Sequence, residues 1–237
     1  MKVTRNLKSN VSMPQQSPVN LVKSESYHVK IPRGFLKLDY KGSPYPGTFK
    51  EENNHSNFQL NSVIGKRPPI LQIGSVLTEL KKIHLHTPSE HDFEGKNRAG
   101  EVHLIHEVKD ASFSNGASKS SLVVVGVSFT ANKHAAENSF IKSWASCMRS
   151  SITKSTDSEE FLIDPRRLLP KTKKWYRYEG SLTTGTGDLY PEIVSWIVMA
   201  DPIDVCNADL KLLQRYAHQH ERCVQDINRR FILRNFE

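Results

Sequence analysis

The sequence of 237 residues has few cysteines and no long apolar run, and each absence argues against a class of protein. Its three cysteines, Cys147, Cys206 and Cys223, are widely spaced and form no metal-binding motif. Their odd number leaves at least one unpaired within the monomer, which favours a reducing compartment. No stretch approaches the roughly 18 apolar residues of a membrane-spanning helix. The first residues, MKVTRNLKSNVSM, lack the apolar core of a signal peptide, so a cytoplasmic location is favoured unless the N-terminus has been trimmed.

Other motifs are also missing. The 33 Lys and Arg residues outnumber the 25 Asp and Glu residues, and most of this excess lies within residues 1–50. The sequence contains no compact Lys/Arg run and no nucleic-acid-binding motif, so we interpret the excess as a solvated basic surface and expect no nucleic-acid partner. An H-E-x-x-H helix is absent, which argues against a metalloprotease. The sequence does not define an oligomeric state.

The chain contains no repeats and no linker that would divide it, and its length suits one domain. Residues 1–13 read as a polar tail and residues 14–237 as the domain. Runs of apolar or alternating residues predict strands at Val19–Leu21, His28–Ile31, Phe58–Val63, Ile70–Ile73, Leu80–His86, Glu101–Val108, Ser121–Thr130 and Val194–Met199.

Apolar residues at helical spacing predict two helices, at His134–Ser150 and Ala208–Gln219, and Asn207 is the expected N-cap of the second. Strands therefore outnumber helices. The sequence predicts a single, mainly β (α+β) domain with short peripheral helices.

Half of the ten histidines lie in one stretch of 24 residues, IHLHTPSEHDFEGKNRAGEVHLIH, which runs from Ile83 to His106. His84 and His86 are two residues apart, so on a strand they point to the same face. Pro88 ends that strand, because proline cannot donate to a ladder of hydrogen bonds. A polar, glycine-bearing turn follows from Asp92 to Gly100, before a second alternating run.

In the second run Glu101, His103 and Ile105 share one face. If the two strands pair, His103 can converge with the histidines of the first strand. Three neutral imidazoles with an open fourth position are the ligands of a catalytic zinc site. Glu101, beside His103, is an acceptor of the kind that a metal-bound histidine usually contacts with its other N–H group. His91 and His106 are interpreted as ordinary hydrogen-bonded residues, since His106 has the opposite parity to His103.

The histidine stretch resembles the zinc-binding core of the α-class carbonic anhydrases, and the resemblance extends over roughly residues 15–236. Further segments match in the family's order and approximate spacing. They are QQSPVNL at 15–21, LVVVGV at 122–127, DPRRLLP at 164–170, YRYEGSLTT at 176–184, VSWIVMADPIDV at 194–205 and VQDINRR at 224–230.

The resemblance implies a large, twisted, mostly antiparallel sheet of about ten strands with short helices outside it. It also implies a zinc enzyme (a lyase) that reversibly hydrates carbon dioxide to bicarbonate and a proton by means of a zinc-bound hydroxide. The alternative is a catalytically weak or silent carbonic-anhydrase-like module for binding or assembly. Silent relatives usually lose ligand histidines, whereas this chain keeps all three, so the enzyme is favoured.

The resemblance also assigns roles to individual residues. His84, His86 and His103 would bind zinc, and Glu101 would hold the ring of His103. Thr183 would accept a hydrogen bond from the hydroxide and donate its own to Glu90. Thr184 would assist, and the carbon dioxide pocket would be formed by apolar side chains, namely Ile105, Val124, Leu182, Val194 and Trp196.

Two of the positions that depart from the family or lack a clear match bear on the site's chemistry. The family usually has a glutamine two residues before the first ligand, which accepts a hydrogen bond from that ligand's second ring nitrogen. Lys82 occupies this position and has no acceptor when charged. The family's proton shuttle falls at Ser56, which does not titrate near pH 7. A one-residue shift in the expected loop from Glu51 to Asn57 would bring His55 into place as the shuttle.

Overall fold

A large mixed β-sheet dominates the fold. The computed structural model describes residues 14–32, 34–52, 55–63, 65–108, 122–151, 160–184, 190–191, 193–217 and 222–237. The predicted tail, residues 1–13, lies outside this part of the chain, so the boundary at residue 14 stays a prediction. Among the described residues, no helix is both long and apolar enough to cross a membrane.

The strands are short to medium in length and follow one another along most of the described chain. They are β1 (Asn20–Leu21), β2 (Tyr27–His28), β3 (Leu36–Asp39), β4 (Tyr45–Glu52), β5 (His55–Leu60), β6 (Ile70–Ile73), β7 (Val76–His86), β8 (Asp92–Phe93), β9 (Gly100–Val108), β10 (Leu122–Ala131), β11 (Glu160–Ile163), β12 (Trp175–Gly180), β13 (Val194–Met199), β14 (Ile203–Val205) and β15 (Leu233–Arg234).

Thirteen of these strands form one sheet, whose main path is β11-β4-β5-β7-β9-β10-β13-β12-β15-β2. Strand β14 pairs with β10, and β6 pairs with both β3 and β7. Within this sheet the pairs β10–β13, β10–β14 and β15–β2 are parallel, and the other pairs are antiparallel. The main path holds ten strands, so the predicted mostly antiparallel sheet of about ten strands is confirmed.

The two faces of the sheet bury different clusters. On β9, Val102 and Leu104 point into the larger apolar cluster, whereas Ile105 packs against the smaller one. This division follows from the two-residue period of a strand, which sends successive side chains to opposite faces. The larger cluster includes Ile141 and Trp144, so helix α1 (Ser139–Ser151) covers that face.

Helix α1 begins later than predicted, and the second helix ends earlier. Helix α1 starts at Ser139, not His134, because Asn138 Oδ1 accepts the backbone N–H of Phe140 at 3.0 Å and caps the first turn. Helix α2 spans Asn207–Tyr216, and the prediction of Asn207 as its N-cap is wrong. The N-cap is Cys206, whose sulfur accepts the N–H of Asp209 at 3.5 Å.

The sequence pattern missed several strands. Within the expected loop, residues 51–52 and 55–57 belong to paired strands, since β4 ends at Glu52 and β5 begins at His55. The other strands without a matching prediction are β3, β8, β11, β12, β14 and β15. Proline and glycine in β4 hide its strand character. A Cβ atom on Gly47 would lie 2.4 Å from both the Gln59 carbonyl oxygen and the Phe58 ring, so glycine permits this close pairing.

Candidate metal centre

Three histidines converge where β7 and β9 pair. The two strands are antiparallel, with His84 opposite His103 and His86 opposite Glu101. The alternation within each strand puts all three imidazoles on the same side of the sheet. Each is buried, with at most 7% of its surface exposed.

The imidazoles are close enough to share one ion. Their ring centroids are 4.7 Å apart for His84 and His86, 5.1 Å for His84 and His103, and 4.6 Å for His86 and His103. One nitrogen from each ring lies within 4.8 Å of the others. Nε2 of His84 and Nδ1 of His103 are 3.1 Å apart.

Hydrogen-bond acceptors lie behind two of the rings, and they determine which ring nitrogen carries the proton. His84 Nδ1 lies 3.2 Å from Oδ1 of Asn57, and His103 Nε2 lies 3.0 Å from Oε1 of Glu101. An amide oxygen and a carboxylate oxygen can only accept, so both of these ring nitrogens donate. In the neutral rings, His84 Nε2 and His103 Nδ1 then both carry lone pairs, and these lone pairs face each other.

Two lone pairs at this separation repel each other, whereas a cation between them would accept both. Three neutral imidazoles are a ligand set that zinc takes in catalytic sites. Among the described residues, no cysteine belongs to this cluster. The residues present therefore fit Zn²⁺.

Asn57 is a member of the site that the sequence analysis missed. It lies on β5 directly opposite His84 on β7 and is 6% exposed. The predicted strand began at Phe58, which left Asn57 in the expected loop. The alternation of Asn57, Phe58 and Gln59 would have revealed it, because Phe58 packs in the larger cluster and its neighbours must face the other side.

Glu101 is buried, and its carboxylate accepts hydrogen bonds from both His103 and His91. Besides His103, its carboxylate accepts from Nδ1 of His91 at 2.7 Å and from the backbone N–H of His91 at 2.9 Å. Burial by itself would raise the pKa of Glu101, but the neighbouring His91 and His103 lower it well below its usual range. Gly126 makes room for this group, since a Cβ atom there would lie 2.7 Å from Glu101 Oε1.

His91 is thus more than an isolated buried histidine. Its Nε2 lies 2.7 Å from the hydroxyl of Tyr178, and the same hydroxyl lies 3.0 Å from Ser17 Oγ. Together with Glu101 and His103, His91 forms a second cluster of potential ligand atoms. Because His91 and His103 present N–H groups to the Glu101 carboxylate, we interpret this cluster as a hydrogen-bond network that supports the ring of His103.

Glu90 and Thr183 lie beside the histidine cluster. The Thr183 hydroxyl forms a hydrogen bond with the Glu90 carboxylate. Glu90 Oε1 accepts the backbone N–H of Arg222 at 3.3 Å, and Oε2 lies 3.5 Å from His86 Nε2. Burial raises the pKa of Glu90 to about 8, against the lowering effect of the Thr183 hydrogen bond. A dication held by the adjacent histidines would favour the ionised carboxylate.

The five apolar residues expected to form a pocket lie in one cluster beside the histidines. Val124 on β10 is opposite Ile105 on β9 and Trp196 on β13, so these side chains share a face. Val194 belongs to the same cluster, and Leu182 packs against it. The Trp196 ring is 4.9 Å from that of His103, and its Nε1 donates to the Ser181 carbonyl at 3.0 Å.

Three further residues named from the sequence are placed less fully. Thr184 is half-buried and follows Thr183 directly. Lys82 is half-buried on β7 and is paired with Gln59 on β5. His55 is the first residue of β5, but its side chain lies outside what the structure describes.

A large, mostly antiparallel sheet that carries three converging, buried histidines on adjacent strands defines a β-sheet protein whose histidine cluster could hold a metal ion. The family comparison agrees. The model of the eukaryotic-type carbonic anhydrases matches residues 5–236. The chain belongs to this family, so the predicted family is confirmed.

Individual relatives support the assignment. The chain is 30% identical over 220 residues to a carbonic anhydrase of Neisseria gonorrhoeae, which covers 92% of this chain and 76% of that relative. It is 27% identical to alpha carbonic anhydrase 8 of Arabidopsis thaliana over 91% of this chain and 51% of that relative. The chain therefore spans about half the length of the Arabidopsis protein.

Solved structures show the same fold. The α-carbonic anhydrase of Photobacterium profundum superposes with a TM-score of 0.69 at 26% identity, covering 94% of this chain and 90% of that one. The Thermovibrio ammonificans α-carbonic anhydrase, in complex with the inhibitor sulfanilamide, gives a TM-score of 0.71 at 24% identity. That match covers 92% of this chain and 86% of the other.

Proposed function

We propose that this protein reversibly hydrates carbon dioxide to bicarbonate and a proton, with one zinc ion held by His84, His86 and His103. The observation that carries the proposal is the 3.1 Å distance between His84 Nε2 and His103 Nδ1, the two nitrogens that carry lone pairs when the rings are neutral. An acceptor behind each ring holds the proton on the far nitrogen, so neither of the two facing nitrogens carries a proton. Such a pair binds a cation well and repels itself when no cation lies between the two atoms. When bound, zinc supplies a Lewis acid that lowers the pKa of a coordinated water molecule to about 7, a value established for carbonic anhydrases as a family.

Thr183 and Glu90 would orient the nucleophile. An ionised carboxylate only accepts, so Glu90 accepts the hydrogen bond that the Thr183 hydroxyl donates. The lone pairs of Thr183 Oγ1 are then left to accept a hydrogen bond from the attacking oxygen. This acceptance turns a lone pair of the attacking oxygen toward the carbon of the substrate. Thr184 would assist beside it.

The apolar cluster would hold the substrate. Carbon dioxide carries no net charge and offers only weak hydrogen-bond acceptors, so an apolar wall binds it without competing with water. We assign this wall to the five clustered side chains beside the histidines, namely Ile105, Val124, Leu182, Val194 and Trp196. Bicarbonate is charged and binds such a wall poorly, which favours its release.

Each turnover also releases a proton, and we propose His55 as the group that carries it to solvent. It lies two residues before Asn57 on β5, and strand alternation puts positions 55 and 57 on the same face. A histidine with an unperturbed pKa near 6.5 takes up and releases protons around neutrality.

A metal-exchange experiment tests the proposed function. The purified protein is stripped with a chelator, reloaded with zinc and assayed for carbon dioxide hydration by stopped-flow. We expect about one zinc per chain, with activity lost on stripping and regained on reloading. One zinc per chain without hydration would instead favour the binding or assembly module, and no zinc uptake would contradict the proposal altogether.

A further inference from the structure

We propose that Asn57 is the residue that orients His84 for metal binding, in place of the glutamine that the family usually has at the position of Lys82. This inference rests on the proposed zinc site. Lys82 precedes His84 by two residues on the same strand, and its ammonium group offers no acceptor. The acceptor comes from the neighbouring strand instead, because Asn57 Oδ1 lies 3.2 Å from His84 Nδ1.

The length of each side chain fits its position. Residues two apart on one strand are separated by about 6.6 Å, a span that suits the longer glutamine side chain. Directly opposed residues on antiparallel strands have Cβ atoms only about 5 Å apart, a span that suits the shorter asparagine. Asn57 and His84 are directly opposed. An acceptor on the neighbouring strand therefore needs a side chain one methylene shorter than an acceptor on the same strand as His84.

Burial makes the contact effective. Asn57 is 6% exposed and His84 is 7% exposed, so water competes little for the hydrogen bond. The bond keeps the proton on Nδ1 and leaves the Nε2 lone pair directed at His103. Without an acceptor behind it, His84 can take the other tautomer, in which Nε2 carries the proton and cannot bind a metal.

The test compares zinc dissociation rates of the wild type, Asn57→Leu and Asn57→Asp. Leucine keeps a similar volume without an acceptor, whereas aspartate keeps the acceptor. Changes in the partner of a metal-bound histidine typically cost about 10- to 100-fold in metal affinity. We expect Asn57→Leu to lose zinc at least about 10-fold faster than the wild type, with Asn57→Asp as slow as the wild type or slower.

A rescue experiment separates positioning from a general structural role. Lys82→Gln restores the family's acceptor from the same strand as His84. It should change little in the wild type but slow zinc loss from Asn57→Leu most of the way back. Nitrogen-15 NMR of the zinc-free proteins should show the Nδ1–H tautomer of His84 in the wild type and in the rescued double variant, and a mixture in Asn57→Leu.

Two outcomes would overturn the inference: equal zinc loss from Asn57→Leu and the wild type, or accelerated loss that Lys82→Gln leaves unchanged. In either case stoichiometric zinc in the wild type would leave the proposed function standing. A wild type that takes up no zinc would instead contradict the proposed function itself.

Discussion

His103 and His106 lie three residues apart on β9 and face opposite sides of the sheet. His106 is a structural histidine, whereas His103 is a proposed metal ligand. On the core side, His106 Nε2 is 2.7 Å from the Tyr40 hydroxyl and Nδ1 is 3.2 Å from the Val123 carbonyl oxygen. The carbonyl fixes the proton on Nδ1, so Nε2 accepts from Tyr40. Both nitrogens of His106 are satisfied within the protein.

The two ring nitrogens of His103 have different neighbours. Nε2 donates to Glu101, while Nδ1 faces the lone pair of His84. The comparison shows that burial alone does not distinguish a metal ligand from a structural histidine, since both residues are almost completely buried. The distinguishing feature is whether the second nitrogen meets a donor, as in His106, or another lone pair, as in His103.

The largest effect is expected from removing His103. His103→Ala should lose zinc and reduce carbon dioxide hydration by more than about 100-fold, the upper end of the cost of changing a supporting residue. Elemental analysis and stopped-flow kinetics provide the two measurements. His106→Ala is the matched control and should keep its zinc, with its cost confined to stability. Equal zinc content in the two variants would contradict the assignment of His103 as a zinc ligand and of His106 as a structural residue.

His106 should make stability depend on pH. Burial lowers the pKa of His106 from 6.5 to about 4. Between pH 6.5 and 4 the unfolded chain binds a proton here while the folded protein does not, so the free energy of unfolding decreases as the pH falls. The total loss from this group reaches about 3 kcal/mol at or below pH 4, relative to pH 7 and above.

Urea unfolding of the wild type and His106→Gln over pH 4 to 7 measures this contribution. Glutamine does not titrate, so the advantage of the wild type over the variant should shrink as the pH falls. The zinc-site histidines are the same in both proteins and cancel in the difference. A difference that stays constant with pH would show that His106 does not cause the loss.

Substituting Thr183 tests the proposed active site without changing any of the three zinc ligands. Thr183→Ala should keep zinc but lower kcat/KM for hydration by roughly 100-fold, because one group that orients the nucleophile is removed. Thr183→Ser keeps the hydroxyl and should recover much of the rate. An unchanged kcat/KM in the alanine variant would mean that the hydrogen bond with Glu90 has no part in the reaction.

The smallest effect is expected at His55. His55→Ala should lower kcat by less than about 10-fold and leave kcat/KM nearly intact, because proton release follows the hydration step and external buffer partly replaces the shuttle. Raising the imidazole concentration at fixed pH should increase kcat of the variant, and Ser56→Ala is the control. If buffer has no effect on either protein, proton release uses another route.

The local pattern of the sequence predicted the sheet and the histidine cluster but not the parts that depend on pairing across strands. Alternation in β7 and β9 was enough to place His84, His86 and His103 on one face. Strand β4 escaped prediction because its proline and glycine are unfavourable in isolation and are tolerated only beside β5. Asn57 was missed for the same reason, since its role comes from lying opposite His84, 27 residues away along the chain.

X-ray absorption spectroscopy of the zinc-loaded wild type tests the central claim most directly, because it counts and identifies the atoms bound to the metal. The account predicts one zinc per chain with three imidazole nitrogens at about 2.0–2.1 Å and one further oxygen ligand. A spectrum with sulfur at about 2.3 Å, or with fewer than three imidazoles, would contradict it.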